Sequence, residues 1–306
     1  MTLLSDLRAI PGLVVRPEVH LSGYTTFRIG GPAEILAEAN NEHSLLQVVE
    51  YCRKKGSPCR FMGGGSNLLV ADEGLAGVVL LNKVRFVEWK EPCSVRVSGG
   101  FPLDEFVSLL AEKGWAGLDF AAGIPGTVGG GLAGGAGAYG NLLGDFLDSA
   151  RILDVYGNIR ETAPSALGIG YRESKTRDRG DLILDATFHR LQPAPPEQVQ
   201  AKIREIKSER ASKHPGSDLP SAGSFFKNLP PSEPGGKRIP AGKLLDEVGA
   251  KGLRVGDAEV FEKHANIIVN RGKATARDVN NLADEMAKRV YDCYGIQLNR
   301  EVLYWS

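Results

Sequence analysis

The sequence predicts a mixed α+β protein of more than one domain, and three observations carry that expectation. Helix-period and strand-period segments alternate along the whole chain. A length of 306 residues exceeds what one hydrophobic core usually organises. A proline-rich run, QPAPPE (Gln192 to Glu197), late in the chain reads as a linker, because its prolines remove backbone donors and favour extended conformations.

The elements are set by local pattern. EHSLLQVVEYCRKKG places Leu45, Leu46, Val48, Val49 and Cys52 at helical spacing, with Gly56 as the C-terminal stop. CRFMGGGSNLLV reads as strand, tight glycine turn, strand, and GVVLLN and SVRVSGG as further strands. PLDEFVSLLAEKG is a helix opened by Pro102 and closed by Gly114. ARILDVYGNIRETA is a hairpin turning at Tyr156, Gly157 and Asn158, and DLILDATFHRL is a strand. After the linker, VQAKIREIKSER and AGKLLDEVG are helices and HANIIVN is a buried strand. TARDVNNLADEMAKRVYDCYG is a helix capped by Thr275 and ended by Gly295, and IQLNREVLYW is a final strand.

Composition narrows the function. Lys+Arg 37 balances Asp+Glu 37, so no basic excess points to nucleic acid or an acidic membrane. One local basic cluster, KSERASKH (Lys207 to His214), is either a phosphate contact or a solvated helix face. The four cysteines form no CxxC pair, which argues against a metal site and a disulfide framework. Asp6 and Arg8 interrupt the only apolar stretch of the N-terminus. That leaves no signal-peptide core or membrane span there, and a cytoplasmic location is expected.

The glycine-dense stretch GIPGTVGGGLAGGAGAYG (Gly123 to Gly140) needs an explanation. GAGAYG fits GxGxxG, but more glycine precedes it where a dinucleotide fingerprint needs a strand, and Gly144 breaks NLLGDFLDS where the fingerprint needs a helix. A better reading pairs the stretch with MGGGSNLL (Met62 to Leu69). Backbone N–H groups converge without a Cβ in the way, and such nests bind phosphate oxygens, with Ser66 and Thr127 adding hydroxyls. Close steric packing of two glycine loops is the plainer alternative. No GxxxxGK[ST] is present, which disfavours a P-loop ATPase.

MGGGSN, GIPGTVGG, AGAYG, GYRES (Gly170 to Ser174), AGSFFKN (Ala222 to Asn228), AGKLLDEVGAKG, KHANIIVN and LNREV occur in one order from about Leu21 to Val302. This series closely resembles the UDP-N-acetylenolpyruvoylglucosamine reductase family, flavoenzymes of peptidoglycan precursor synthesis. The resemblance implies an FAD-binding fold of the vanillyl-alcohol-oxidase type in two subdomains, 1–84 and 85–193, followed by an α+β substrate-binding domain, 197–306. It also implies the shorter subclass, since only ESKTRDRG separates Tyr171 and Arg172 from the next strand.

The family's cofactor positions fall on Gly63, Gly64, Gly65, Ser66 and Asn67, on Gly123, Ile124, Pro125, Gly126, Thr127, Gly129 and Gly130, and on Gly137. FAD is expected to be noncovalent, because no His lies in CRFMGGGSN and Cys59 precedes the loop. NADPH is the implied hydride donor and a small UDP-sugar the implied partner, without nucleic acid or membrane insertion. By resemblance Arg172 stabilises the charge beside the substrate carboxylate, Ser224 donates the proton and Glu301 orients or protonates the intermediate. Tyr171, Lys213, Lys227, Asn228 and His264 match substrate-binding positions.

Without the motifs, Arg172 would read as a surface ion-pair partner, Ser224 as a turn hydroxyl and Glu301 as an edge-strand carboxylate. The chain departs from the family pattern at Gly135 (usually Asn), Leu229 (Pro), Phe261 (Ser) and Leu303 (Arg). An alcohol or sugar oxidase of the same fold, and a non-catalytic UDP-sugar-binding paralogue, are the competing readings.

Overall fold

The expected helices stop and start at the residues that chemistry favours. Glu42–Lys55 opens on Asn41, whose side chain accepts the Ser44 N–H at 2.8 Å. It closes on Gly56 at φ 64°, a left-handed conformation that glycine reaches without strain. Ala276–Tyr294 opens with a capping box in which Thr275 and Asp278 satisfy each other's backbone N–H. This computed structural model describes residues 3–233 and 235–306, arranged in two compact units.

The first unit holds residues up to 19, 33–64 and 76–209. One of its sheets has four strands in the order Leu13–His20, Pro32–Ala39, Leu75–Asn82, Cys59–Met62, the last two parallel. The apolar stripe of Glu42–Lys55, namely Leu45, Val48, Val49 and Cys52, is buried with Ile35, Ala37, Val78 and Leu80 of that sheet. A five-stranded sheet is antiparallel, in the order Ile159–Thr162, Leu147–Leu153, Leu182–Phe188, Ser94–Ser98, Val87–Lys90. Phe106 of the helix Leu103–Lys113 meets Phe188 of this sheet with ring centroids 5.6 Å apart. Asp185, only 2% exposed, anchors the sheet by accepting two hydrogen bonds from Arg96 at 2.8 Å and one from Arg151 at 2.9 Å.

The second unit holds residues 20–32, 65–75 and 210–306. Its antiparallel sheet runs Ser221–Ser224, Ile267–Asn270, Ala258–Val260, Arg254–Val255. Val279, Leu282, Ala283, Met286 and Val290 of Ala276–Tyr294 are buried in the same core as Val260 and Ile268. Residues 65–75 belong here because Leu68–Val70 pairs in parallel with the C-terminal strand Leu303–Trp305.

Three local expectations change. QPAPPE is not a free connector: Gln192–Pro193 pairs with Trp115–Ala116, and Pro196 opens the helix Pro196–Lys213. Proline is at home in a short edge pairing and in a first helical turn. The last passage of the chain from one unit to the other falls after Glu209, inside that helix. IQLNREVLYW is strand only over Leu303–Trp305, because its partner offers three residues, with a separate bridge from Arg300 to Phe226. Within the glycine stretch, Val128–Ala133 forms a helix that glycine content had hidden. No helix among the described residues is long and apolar enough to cross a membrane.

Candidate active site

In the first unit the two glycine segments meet. A Cβ on Gly63 would lie 2.7 Å from the Thr127 hydroxyl, and one on Gly64 would lie 2.6 Å from the Gly126 Cα. Both approaches require glycine. The second segment is strapped down from behind: Leu103 N–H donates to Gly126 O at 3.0 Å, Val128 N–H to Phe101 O at 2.9 Å and Gly129 N–H to Gly99 O at 2.9 Å. Gly123 N–H donates to Asp104 Oδ1 at 2.7 Å, and Asp104 also receives Lys207 Nζ at 2.8 Å. Thr127 caps Val128–Ala133 by accepting the Gly130 N–H at 3.1 Å. Gly63, Gly64 and Gly130 stay exposed, so backbone rather than side chain faces outward there. Gly137 lies in a hairpin of Gly137–Ala138 with Asn141–Leu142, where a Cβ would meet Asn141 O at 2.3 Å. The letter match of GAGAYG is thus a turn, with Tyr139 at φ 52° and Gly140 at φ 81°.

The GYRES loop lies against the end of the glycine helix. Arg172 has a positive φ of 58°, and its N–H makes a long bond of 3.4 Å to Gly135 O. Its guanidinium carbon is 5.7 Å from the centre of the Tyr171 ring.

In the second unit two sequence-predicted catalytic residues are brought together by the backbone. Ser224 ends the strand Ser221–Ser224, paired opposite Ile267. The next residue, Phe225, accepts the Glu301 N–H at 2.7 Å, and Lys227 N–H donates to Asn299 O at 2.8 Å. Glu301 is buried, and its carbonyl accepts Asn67 Nδ2 at 3.1 Å. Asn67 O in turn accepts the Leu303 N–H at 3.1 Å, so the end of the first glycine loop is stitched to the segment bearing Glu301. Asn228 Oδ1 accepts the Ala241 N–H at 3.2 Å, fixing the entry to the helix Ala241–Glu247.

Lys213 and His264 also belong to the second unit, where the rings of His214 and His264 lie 5.8 Å apart. Burial pushes the His214 pKa down to about 4, helped by Arg210, His264 and Lys213, and burial lowers that of His264 as well. His264 Nδ1 accepts the Asn266 N–H at 3.3 Å, which leaves its proton on Nε2 as an available donor. His214 and Asn266 were not singled out by sequence. Asn266, 2% exposed, holds Phe226 through both amide atoms, accepting its N–H at 2.9 Å and donating to its carbonyl at 2.8 Å. The signal was a polar residue inside the buried run HANIIVN. Among the described residues no cluster of His, Cys, Asp and Glu could hold a metal ion.

Residues 214–305 match the family model described as the C-terminal domain of UDP-N-acetylenolpyruvoylglucosamine reductase. A UDP-N-acetylenolpyruvoylglucosamine reductase of Symbiobacterium thermophilum is 37% identical over 97% of this chain and 93% of its own. The chain belongs to the UDP-N-acetylenolpyruvoylglucosamine reductase family. A reductase of that name from Moorella thermoacetica is also 37% identical, over 98% of this chain and 99% of its own. The crystal structure of the reductase from Thermus caldophilus superposes with a TM-score of 0.79 at 33% identity, covering 96% of this chain and all of that one. Residues 33–163 match the FAD binding domain model.

For a member of this family, the first unit's glycine patch fits the FAD it implies. Exposed backbone at Gly63, Gly64 and Gly130, beside the Thr127 hydroxyl, leaves room for an anionic group where any side chain would intrude. Three departures from the reductase pattern have structural placements. Phe261 packs with Ile267 and Val269, and Leu303 pairs with Leu68. Leu229 forms a two-way bridge with Ile239.

Proposed function

We propose that the protein reduces UDP-N-acetylglucosamine enolpyruvate to UDP-N-acetylmuramate with NADPH as hydride donor, through noncovalently bound FAD. The observation that carries this reading is full-length similarity to reductases of that name, 37% identical over 97% of the chain. FAD supplies the relay of hydride from NADPH to the enolpyruvyl ether. Its pyrophosphate is assigned to Gly63 to Asn67 and to Gly123 to Gly130.

The rest of the chemistry falls to side chains. Reduction at the terminal vinyl carbon leaves charge on the carbon beside the carboxylate, which a fixed cation lowers in energy. Arg172 is assigned to that charge. Ser224 delivers its hydroxyl proton to the same carbon and recovers one from solvent, while Glu301 orients the group. Lys213 supplies a point charge for the UDP diphosphate, with Tyr171, Lys227, Asn228 and His264 as further contacts.

The domain division proposed with this reading is 1–84, 85–193 and 197–306. The four- and five-stranded sheets of the first unit, over residues 13–82 and 87–188, support its first two parts. A cytoplasmic location is proposed too, supported by four cysteines that are all free thiols. Steady-state NADPH oxidation that depends on the enolpyruvyl sugar and yields the lactyl ether tests the function. Turnover with oxygen on alcohols, without NADPH, would instead favour an oxidase.

A further inference from the structure

The backbone of Arg172 sits in a conformation that an L-residue adopts at a cost, with φ 58°. Something must hold it there, and the surrounding bonds identify what does. On one side is the end of the glycine helix Val128–Ala133. Gly135, at φ 59°, accepts the Arg172 N–H, and a Cβ on it would lie 2.2 Å from Gly170 O and 2.9 Å from both Arg172 N and Glu173 N. Only a residue with no side chain lets the loop come this close.

On the other side the loop is tied twice. The Ser174 hydroxyl, 1% exposed at residue level, donates to Ala133 O at 2.6 Å and accepts the Arg177 N–H at 3.1 Å. One short side chain thereby joins the last carbonyl of the glycine helix to the first turn of Lys175–Arg179. The Arg177 guanidinium returns to donate to Arg172 O at 3.0 Å. Asp178 Oδ1, 3.3 Å from Arg177 Nη2, keeps that guanidinium in place. Gly170 and Glu173 close the loop by exchanging backbone hydrogen bonds of 3.0 and 3.4 Å.

We propose that Gly135, Ser174 and Arg177 are positioning residues that hold Arg172 in its left-handed conformation, fixing its guanidinium relative to the cofactor-cradling glycine segment. This rests on the assignment of Arg172 to the substrate carboxylate. Arg177 touches neither substrate nor cofactor in this scheme and acts through the Arg172 carbonyl alone. A misplacement of about 1 Å of such a group is enough for a loss of ~10² in rate.

The test uses the FAD-loaded enzyme and the variants Arg177→Met, Arg177→Lys and Ser174→Ala, with Arg172→Lys as reference and as the second mutation of a double-mutant cycle. Arg177→Met and Ser174→Ala are expected to leave FAD affinity and NADPH-driven flavin reduction within about twofold of the parent. The same two variants should lower kcat/KM for UDP-N-acetylglucosamine enolpyruvate by about 10- to 100-fold and weaken calorimetric binding of UDP-N-acetylmuramate. Arg177→Lys, which keeps a donor, should recover most of the loss. In the Arg172→Lys background the Arg177→Met effect should vanish, since there is no guanidinium left to position.

Full activity in both Arg177→Met and Ser174→Ala overturns the inference, as does a loss that simply adds to that of Arg172→Lys. Should Arg177→Met fail to fold, Ser174→Ala reads the same tether through a different bond. If Arg172→Lys itself turns over the enolpyruvyl sugar normally, the role given to Arg172 falls, and the positioning set with it. If Arg172→Lys is crippled while the other variants are not, the positioning set fails alone.

Discussion

The backbone N–H of Glu301 donates to the carbonyl of Phe225 at 2.7 Å, which places the C-terminal carboxylate residue directly alongside the residue after Ser224. Two residues far apart in the chain are therefore neighbours in one unit. Both belong to the proposed proton-transfer step, and that step can be separated from the delivery of hydride.

Ser224→Ala is expected to leave NADPH-driven flavin reduction intact and to slow reoxidation by the enolpyruvyl substrate by ~10² to 10⁴. Stopped-flow absorbance of the two half-reactions measures this. Survival of both at the parent rate would remove Ser224 as proton donor.

Gly64→Ala probes the cradle. Its Cβ would stand 2.6 Å from Gly126 Cα, with backbone on both sides, so the two segments must separate. Overpacking of this kind typically costs about 1–3 kcal/mol, which, taken from binding, corresponds to FAD affinity weaker by about 5- to 160-fold. A flavin-fluorescence titration reads it, and unchanged affinity would argue against this patch as the pyrophosphate site.

How much of the fold and site was legible in the sequence depended on whether the cause was local. Helices with polar caps and glycine stops were readable because a few neighbouring residues decide them, as Asn41 and Gly56 do for Glu42–Lys55. The helix Val128–Ala133 was not, since three of its six residues are glycine and its stability comes from the strap at residues 99–103 rather than from propensity. The left-handed Arg172 was equally hidden, because Ser174, Arg177 and Gly135 enforce it through contacts that a linear pattern does not reveal. Motif order pointed to Ser224, Glu301, Lys213 and His264, which the proposed function uses. It passed over His214, whose significance lies in the ring it faces.

His214 yields a pH prediction. Its folded pKa of about 4 lies below the ordinary 6.5, so the unfolded chain binds the extra proton between those values. Stability contributed by the neutral imidazole is thus complete above pH 6.5 and is lost as pH falls towards 4. NMR titration of the ring should show no protonation at about pH 5.5, and His214→Gln should flatten the decline in Tm over that window. A normal midpoint near 6.5 would contradict the buried neutral form.

Asp185 tests the scaffold behind the site. It accepts three charge-assisted hydrogen bonds while almost fully buried. Asp185→Ala should destabilise the first unit by about 3 kcal/mol, because Arg96 and Arg151 lose their shared counter-charge. Chemical denaturation measures the change, and a loss below about 1 kcal/mol would show the network to be dispensable.

The most direct test of the function is an anaerobic visible spectrum of the purified protein, recorded before and after NADPH and again after UDP-N-acetylglucosamine enolpyruvate. The account predicts an oxidised flavin spectrum that bleaches with NADPH and returns when the enolpyruvyl sugar is added. Flavin that NADPH does not reduce, or reduced flavin that the enolpyruvyl sugar does not reoxidise, would contradict it.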